Sequence, residues 1–448
     1  MINLRSIDEL SKDIFYIRTF GCQMNVHDSE QLAAMMVGAG FQQTEDVNQA
    51  QVILVNTCSI RDKVALKIIS QIGRYRELKE NNPDLVIGVG GCLAQHWGQS
   101  LFKKNVGIDL VFGTHALDKA PEMIRKIQRK GGAIVDTAFR ETIPSLNICP
   151  RPVNGNFHAF VTIMQGCDNF CSYCVVPYLR GREQSRPSME IVDEIRRLVA
   201  YGVKEVTLLG QNVNSYGKGL AEGIHFSDLI TKIDAIDGLE RIRFTTSHPK
   251  DLTDDLISRF GKLGKLCEYI HLPFQSGSNS ILGRMNRGYT REDYFTKVER
   301  LRETCPTIAI SSDAMVGFPG ETTADFEATM ELMKVIRFDN LFSFKYSERE
   351  GTAAVSLAEK VSEKEKSRRL SLLQDLQDRH ALEMNKAMVG KTVGVLVEGI
   401  SKNSSRDMMG RTRTNKVVNF RGKENLHGKT VSLHITAGYL HSLRGELS

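Results

Sequence analysis

The sequence lacks the features that mark a membrane or secreted protein. None of its apolar stretches approaches the roughly 20 residues that a membrane-spanning helix requires. Residues 1–14 mix acidic and basic side chains with apolar ones and contain no apolar core of the kind found in secretory signals. We therefore expect a cytoplasmic protein that does not bind membranes.

The cysteines do not suit a disulfide framework. There are nine of them in 448 residues, an odd number, and nothing in the chain indicates export. Clustered cysteines in a cytosolic protein more often bind metal or perform redox chemistry. We therefore examined their spacing for metal-binding patterns.

Positive charge is concentrated at the C-terminal end. Residues 384–448 contain eleven Lys or Arg and four Asp or Glu, a net charge of +7, so the other 383 residues carry −1 of the total of +6. A nearly neutral body with a basic tail indicates a polyanionic partner, most simply nucleic acid. A basic surface that only improves solubility is the alternative.

The first third of the sequence alternates strand-like and helix-like segments, which predicts a doubly wound parallel sheet. The predicted strands are residues 14–20, 51–56 and 85–89. A cysteine follows each of them, namely Cys22, Cys58 and Cys92, at spacings of 36 and 34 residues. Because the carboxyl ends of parallel strands share one edge, the topology should bring these thiols together. Three buried structural cysteines are the alternative.

A segment rich in Pro, Asn and Gly at residues 141–156 predicts a linker. After it, six strand-like segments alternate with amphipathic helices, which favours a partial (βα)6 TIM-like barrel with its active site at the carboxyl ends of the strands. The predicted strands are residues 159–164, 205–209, 241–245, 268–272, 308–313 and 340–346. Gln211 and Asn212 end the second strand and Asp313 ends the fifth, where side chains often contact a cofactor.

Short strand-like segments separated by glycines follow a charged helix at residues 362–385. The segments at 392–398, 416–420 and 430–436 predict a small β-barrel of about 60 residues, the size of oligonucleotide-binding barrels. Three domains are therefore expected, at residues 1–145, 150–383 and 384–448.

One cysteine motif carries specific chemistry. Cys167, Cys171 and Cys174 form a C-x3-C-x2-C loop directly after the first predicted barrel strand. Full ligation of a four-iron cluster takes four cysteines, so three leave one iron open. The amino and carboxylate groups of S-adenosylmethionine can chelate that iron. Structural zinc is the competing interpretation, but it takes four protein ligands and no histidine completes a compact set here.

This loop resembles the signature of radical S-adenosylmethionine enzymes. In addition, TFGCQMN at 19–25, NTCSIRDK at 56–63 and GGCLAQ at 90–95 resemble the three cysteine motifs of the radical S-adenosylmethionine methylthiotransferases. The resemblance covers nearly the whole chain and includes a C-terminal TRAM domain. It implies S-adenosylmethionine and two 4Fe–4S clusters as cofactors. The implied ligands are Cys167, Cys171 and Cys174 for the radical cluster, and Cys22, Cys58 and Cys92 for an auxiliary cluster.

Within this family the chain is most similar to the branch that acts on N6-dimethylallyladenosine in tRNA. The ribosomal-protein branch carries Pro after its first cysteine, where this chain has Gln23, and the threonylcarbamoyl-adenosine branch favours GCKVN over the GCQMN found here. The resemblance implies methylthiolation of carbon 2 of that nucleoside, next to the anticodon, with two S-adenosylmethionine molecules consumed. The alternatives are a methylthiotransferase acting on threonylcarbamoyl-adenosine tRNA or on a ribosomal protein, and a non-catalytic iron–sulfur RNA-binding protein.

The expected partner is the anticodon stem-loop of tRNA, because bases in an RNA loop can be splayed out and read. The predicted phosphate contacts are Arg411, Arg413, Lys416, Arg421 and Lys423, which would position the RNA without reading its sequence. A solvated basic strand face is the alternative. We also expect an electron donor protein such as a flavodoxin or ferredoxin, and a monomeric enzyme.

Overall fold

The computed structural model describes residues 13–58, 62–104, 107–140, 157–402 and 404–448. The predicted linker at 141–156 lies outside these ranges. The chain divides into two compact units: Met1–Arg151 with Tyr178–Gln184, and Pro152–Pro177 with Ser185–Ser448.

The first unit contains a six-stranded sheet. The strands are β1 Ile14–Thr19, β2 Gln42–Gln43, β3 Val52–Thr57, β4 Val86–Gly91, β5 Leu110–Phe112 and β6 Ile134–Asp136. The helices are α1 Gln23–Gly38, α2 Asp62–Asn81, α3 Cys92–Trp97, α4 Ser100–Lys104 and α5 Ala120–Lys130. All pairings are parallel, in the order β2-β1-β3-β4-β5-β6. Every residue of β3 and β4 is buried, as central strands covered by helices require. The predicted doubly wound sheet is confirmed.

The second unit begins with a parallel barrel. Its six strands are β7 His158–Thr162, β10 Glu205–Leu209, β11 Arg241–Phe244, β12 Tyr269–His271, β13 Ala309–Val316 and β14 Asn340–Lys345. Two short strands, β8 Met164–Gln165 and β9 Gln184–Ser185, pair only with each other. The helices in this part of the chain are α6 Val176–Arg180, α7 Ser188–Ala200, α8 Phe226–Asp234, α9 Asp254–Arg259, α10 Asn279–Arg284, α11 Arg291–Thr304 and α12 Thr323–Ile336. Two parallel sheets, β7-β10-β11 and β12-β13-β14, follow chain order. A bridge from Ile242 to Leu266 extends the pairing between them, which gives the predicted six-stranded open barrel.

A second, closed barrel completes the chain. Helix α13 Glu363–Lys386 leads into β15 Thr392–Ser401, β16 Ser404–Thr412, β17 Val417–Arg421, β18 Thr430–Gly438 and β19 Leu443–Leu447. The strands close in the order β15-β16-β17-β19-β18 around a buried apolar core. This small C-terminal barrel is also as predicted. In the described ranges, no helix is both long enough and apolar enough to cross a membrane.

Candidate metal centres

The first candidate site lies at the carboxyl edge of the N-terminal sheet, where β1, β3 and β4 are neighbours. Cys22 precedes α1 as its N-cap, Cys58 directly follows β3, and Cys92 is the first residue of α3. A methyl group built on Gly21 would lie 2.8 Å from the Cβ atom of Cys58, so the first two cysteine motifs pack closely. The structure therefore brings the three strand ends together as the βα spacing predicted.

Two buried asparagines hold this edge in register. The side chain of Asn25 donates from Nδ2 to the Thr57 carbonyl at 3.1 Å, and its Oδ1 lies 3.5 Å from the Cys22 sulfur. Asn56 in turn donates to the Asn25 carbonyl and to the Ser29 hydroxyl, both at 2.9 Å. Because these bonds join residues about 30 positions apart, they fix the Cys22 motif against the end of β3.

Arg180 brings a positive charge to the third cysteine of this group. Its side chain is 4% exposed, and its Nε donates to the Cys92 sulfur at 3.4 Å. Its Nη2 donates to the Asp28 carboxylate at 2.7 Å. Burial raises the pKa of the Cys92 thiol, and the Arg180 guanidinium opposes that shift. The arginine thus favours the thiolate, which is the form that binds metal.

The second candidate site is the loop that follows β7 and β8 in the second unit. The Cys174 amide donates to the Cys171 carbonyl at 2.9 Å, which folds the loop into a turn. Burial raises the pKa of the Cys174 thiol to about 12, and the thiols of Cys171 and Cys167 add to this shift. Three thiolates this close together would repel one another, so the loop suits a cation that neutralises their charge.

A buried arginine also contacts this second group. Arg287, which is 5% exposed, donates from Nη1 to the Cys171 sulfur at 3.2 Å and to the Tyr173 hydroxyl at 3.4 Å. Burial disfavours an isolated guanidinium, so the site needs negative charge nearby. Three thiolates with bound iron would supply it, and the donor set therefore fits an iron–sulfur cluster.

Within the described residues, no three His, Cys, Asp or Glu side chains converge closely enough to share one metal ion. A four-iron cluster does not require such convergence, because each thiolate binds its own iron. Each group offers three thiols next to the ends of strands and a nearby cationic donor, a donor set that a four-iron cluster can use.

The residues predicted to contact S-adenosylmethionine lie in different settings. Gln211 accepts from the backbone amide of Gly166 at 2.6 Å, so it orients the residue just before Cys167. Asn212 is buried and donates to the Asp251 carboxylate at 2.7 Å. Asp313 does not end its strand as expected: β13 continues to Val316, because the apolar residues that follow Asp313 keep pairing with β14.

Polar atoms at the carboxyl ends of the barrel strands are buried without a partner. Within the described residues, Gln165 Nε2, Asn212 Oδ1, Ser247 Oγ and His248 Nε2 have no hydrogen bond. Nδ1 of His248 accepts from the Lys250 amide at 3.2 Å, which assigns the ring proton to Nε2. Burial and nearby cations, Arg287 first among them, lower the pKa of His248 to about 2, so the ring is neutral. Buried polar groups rarely stay unsatisfied, and these indicate a ligand site.

Comparisons with known proteins agree with this geometry. Three family profiles match: "Uncharacterized protein family UPF0004" at residues 14–113, "Radical SAM superfamily" at 161–333 and "TRAM domain" at 386–448. The tRNA-2-methylthio-N(6)-dimethylallyladenosine synthase of Syntrophus aciditrophicus (strain SB) is 58% identical over 442 residues, which cover 99% of this chain and 96% of the relative. The synthase of the same name from Carboxydothermus hydrogenoformans is 46% identical, with 98% and 100% covered.

The chain belongs to the tRNA-2-methylthio-N(6)-dimethylallyladenosine synthase family. Its cofactors are accordingly S-adenosylmethionine and 4Fe–4S clusters. The fold is similar to that of the radical S-adenosylmethionine methyltransferase TsrM from Kitasatospora setae, with a TM-score of 0.56, 15% identity, and 74% and 73% of the two chains covered. That structure contains tryptophan and an S-adenosylmethionine analogue.

In this synthase, three of the five predicted RNA contacts are engaged within the second unit. Arg411 pairs with Glu398 at 2.9 Å, Arg413 with Glu268 at 2.8 Å and Lys416 with Asp339 at 2.9 Å. An RNA phosphate would therefore have to compete with a carboxylate for each of these three side chains.

The other two basic residues differ. Arg421 and Lys423 are exposed and form no ion pair within the part of the chain that the structure describes.

Two buried arginines of β11 hold the end of β16, which carries Arg411, and the turn with Arg413 that follows it. Arg241 begins β11 and donates to the Arg411 carbonyl at 2.8 Å, and Arg243 donates to the carbonyls of Thr412 and Arg413 at 2.8 and 2.9 Å. The active site of such barrels lies at the opposite, carboxyl ends of the strands. This part of the TRAM barrel therefore contacts the parallel barrel away from the carboxyl ends of its strands.

Sequence reasoning missed several side chains that shape the synthase site. Asn25 lies within the TFGCQMN motif, three residues after Cys22, so its position beside a cysteine was the available signal. Arg180 contacts Cys92 from 88 positions away and had no such signal. Arg287 and His248 had no such signal either. Only the barrel fold brings Arg287 to Cys171, and only the barrel fold places His248 at the carboxyl ends of the strands. Contacts between residues more than 80 positions apart leave no local pattern.

Proposed function

We propose that this chain attaches a methylthio group to carbon 2 of N6-dimethylallyladenosine beside the anticodon of tRNA. The main support for this proposal is the 46–58% identity to tRNA-2-methylthio-N(6)-dimethylallyladenosine synthases over nearly the whole chain. The geometry supports the proposal, because each unit has a group of three cysteines that follow the carboxyl ends of parallel strands. Because the substrate is tRNA, we place the reaction in the cytosol and expect a monomer that receives electrons from a flavodoxin or ferredoxin.

The two cysteine groups have separate roles in this proposal. Cys167, Cys171 and Cys174 hold the cluster that binds S-adenosylmethionine, and Cys22, Cys58 and Cys92 hold the auxiliary cluster. When bound, the cofactors supply a radical that can activate an aromatic C–H bond, which no side-chain base can deprotonate usefully. The protein's own residues position them: Gln211 orients the start of the Cys167 loop, and Asn25 fixes Cys22 against β3.

The decisive test is nucleoside analysis of tRNA from a strain that lacks its own synthase. Expression of this chain should restore the 2-methylthio derivative of N6-dimethylallyladenosine. Unmodified dimethylallyladenosine together with newly methylthiolated threonylcarbamoyl-adenosine, or with a methylthiolated ribosomal protein, would assign the chain to another branch. Absence of any cleavage of S-adenosylmethionine by the reduced protein would favour the non-catalytic alternative.

We place S-adenosylmethionine against Gln211, Asn212 and Asp313, with His248 as an additional donor. A His248→Ala variant should bind it about two- to twelvefold more weakly, because the loss of one hydrogen bond costs roughly 0.5–1.5 kcal/mol. His248→Gln retains an N–H donor and should recover part of that loss. Equilibrium binding of S-adenosylmethionine to the cluster-loaded protein gives the dissociation constants of both variants. Replacing the exposed His441 by Ala is the matched control. An unchanged dissociation constant in His248→Ala would remove this residue from the site.

We also propose that Arg421 and Lys423 contact RNA phosphates, whereas Arg411, Arg413 and Lys416 position the TRAM barrel. Reversing both free charges to Glu should weaken tRNA binding and flatten its log–log salt dependence by about 1.4–1.8, at roughly 0.7–0.9 per phosphate contact. Titrations at several salt concentrations measure the slope.

The matched control replaces Lys126 and Lys130 by Glu and so reverses their charges. Both are exposed lysines of α5 in the first unit. It makes the same change in net charge and should leave the slope unaltered. Equal flattening in both double variants would show a general charge effect rather than phosphate contacts by Arg421 and Lys423.

A further inference from the structure

Arg287 is a buried cation that has no carboxylate partner among the described residues. Its guanidinium donates to the Cys171 sulfur, the Tyr173 hydroxyl, the Tyr289 hydroxyl at 3.2 Å and the Pro273 carbonyl at 3.2 Å. In the described ranges no Asp or Glu forms an ion pair with it, and the ionisable groups that it contacts are the Cys171 thiol and the phenols of Tyr173 and Tyr289, which are neutral when protonated. A charge buried in this way needs a compensating charge. The cysteine loop is where that charge can arise.

The other candidate centre handles its arginine differently. Arg180 contacts the Cys92 sulfur at 3.4 Å but is also paired with Asp28 at 2.7 Å. The carboxylate of Asp28 offsets part of the field that this guanidinium would exert on a cluster. The two cysteine groups are therefore alike in having one buried arginine each, and differ in whether its charge is already compensated.

We infer that Arg287 balances the charge of the radical cluster and thereby makes that cluster easier to reduce. This inference rests on the proposed assignment of Cys167, Cys171 and Cys174 to that cluster. A four-iron cluster bound by three thiolates carries net negative charge, and its charge becomes more negative by one when a low-potential donor adds an electron. A fixed positive charge 3.2 Å from one ligand sulfur stabilises the reduced form more than the oxidised form. Arg287 therefore acts through Cys171 as a positioning and charge-balancing residue.

The experiment measures the reduction potential of this cluster alone. The parent is a Cys22, Cys58 and Cys92 triple Ala variant of the full chain, titrated with dithionite and followed by electron paramagnetic resonance and iron content. Adding Arg287→Gln should reduce the ratio of reduced to oxidised cluster at least about tenfold at a fixed potential, which is about 59 mV for one electron. Arg287→Lys retains the charge and should stay within about threefold of the parent. Arg284→Gln, three residues earlier and paired with Glu359, is the matched control and should have no effect.

The outcomes separate the inference from the assignment beneath it. A cluster that is present in the parent but keeps its potential in Arg287→Gln overturns the inference alone. A parent without iron overturns the assignment of the cysteines, and the inference with it. If Arg287→Gln does not fold, Arg287→Lys decides, because a tenfold fall with the charge retained would show that charge is not the cause.

Discussion

A variant with Ala at Cys22, Cys58 and Cys92 should still cleave S-adenosylmethionine when reduced, while its production of methylthiolated tRNA falls by more than about 100-fold. That figure is the upper end of what a metal site loses when one hydrogen-bond partner of a metal ligand is removed, and here all three ligands are lost. Cleavage should persist because the C-x3-C-x2-C loop, with Arg287 at its Cys171 sulfur, belongs to the other compact unit.

Iron content provides the second measurement on this variant. Anaerobic protein should hold about eight iron atoms per chain, two four-iron clusters, and the triple variant about four. The reciprocal triple variant at Cys167, Cys171 and Cys174 should also lose about half of the iron, but it should lose cleavage as well.

The matched control uses two buried cysteines outside both groups. Cys267 and Cys305 are as buried as the core, and replacing both by Ala should alter neither iron content nor cleavage. If the Cys22 triple variant folds yet no longer cleaves S-adenosylmethionine, the division of labour between the two cysteine groups is wrong. If it still produces methylthiolated tRNA, the auxiliary cluster is not needed for the transfer of the methylthio group.

The placement of these cysteines was predictable because topology alone determines it. Each follows a strand that is recognisable from its apolar run, and parallel strands bring their ends to one edge. The same reasoning predicted the open barrel and the closed one. It missed β16 and β19, whose sequences SSRDMMGRT and LRGEL are too polar to stand out, and it ended β13 at Asp313 although pairing with β14 continues.

Charge was the property that sequence predicted least well. The basic C-terminal region was evident from composition, but composition does not show that Arg413 faces Glu268 or that Lys416 faces Asp339. The pairs join residues 145 and 77 positions apart in the sequence, so no local pattern reveals them. The compensation of Arg180 by Asp28, and the lack of a carboxylate on Arg287 within the described residues, likewise depend on the folded contacts.

Gly91→Ala is the single substitution expected to damage the auxiliary site most without touching a ligand. Gly91 ends β4 directly before Cys92, with φ +88° and ψ −160°, a region essentially restricted to glycine. A methyl group there would lie 2.5 Å from the Thr57 carbonyl oxygen and would also clash with the Asn56 side chain. Thr57 is backbone of the adjacent strand, paired with Gly91 in register, so it cannot move away cheaply.

The cost of that methyl group has two parts that a control can separate. The strained dihedrals should cost roughly 1–3 kcal/mol, and the steric overlap roughly another 1–3 kcal/mol. Gly40 has a similar φ of +91° but open space around its Cα, so Gly40→Ala should show the conformational part only. Denaturant unfolding of the two variants, with iron content measured in parallel, gives the comparison. Gly91→Ala should be the less stable of the two and should lose up to half of the iron, because Cys92 is displaced from Cys22 and Cys58. Equal stability and full iron in both variants would show that β3 and β4 can separate locally, and that the close packing of these strand ends is not needed to hold the auxiliary cluster.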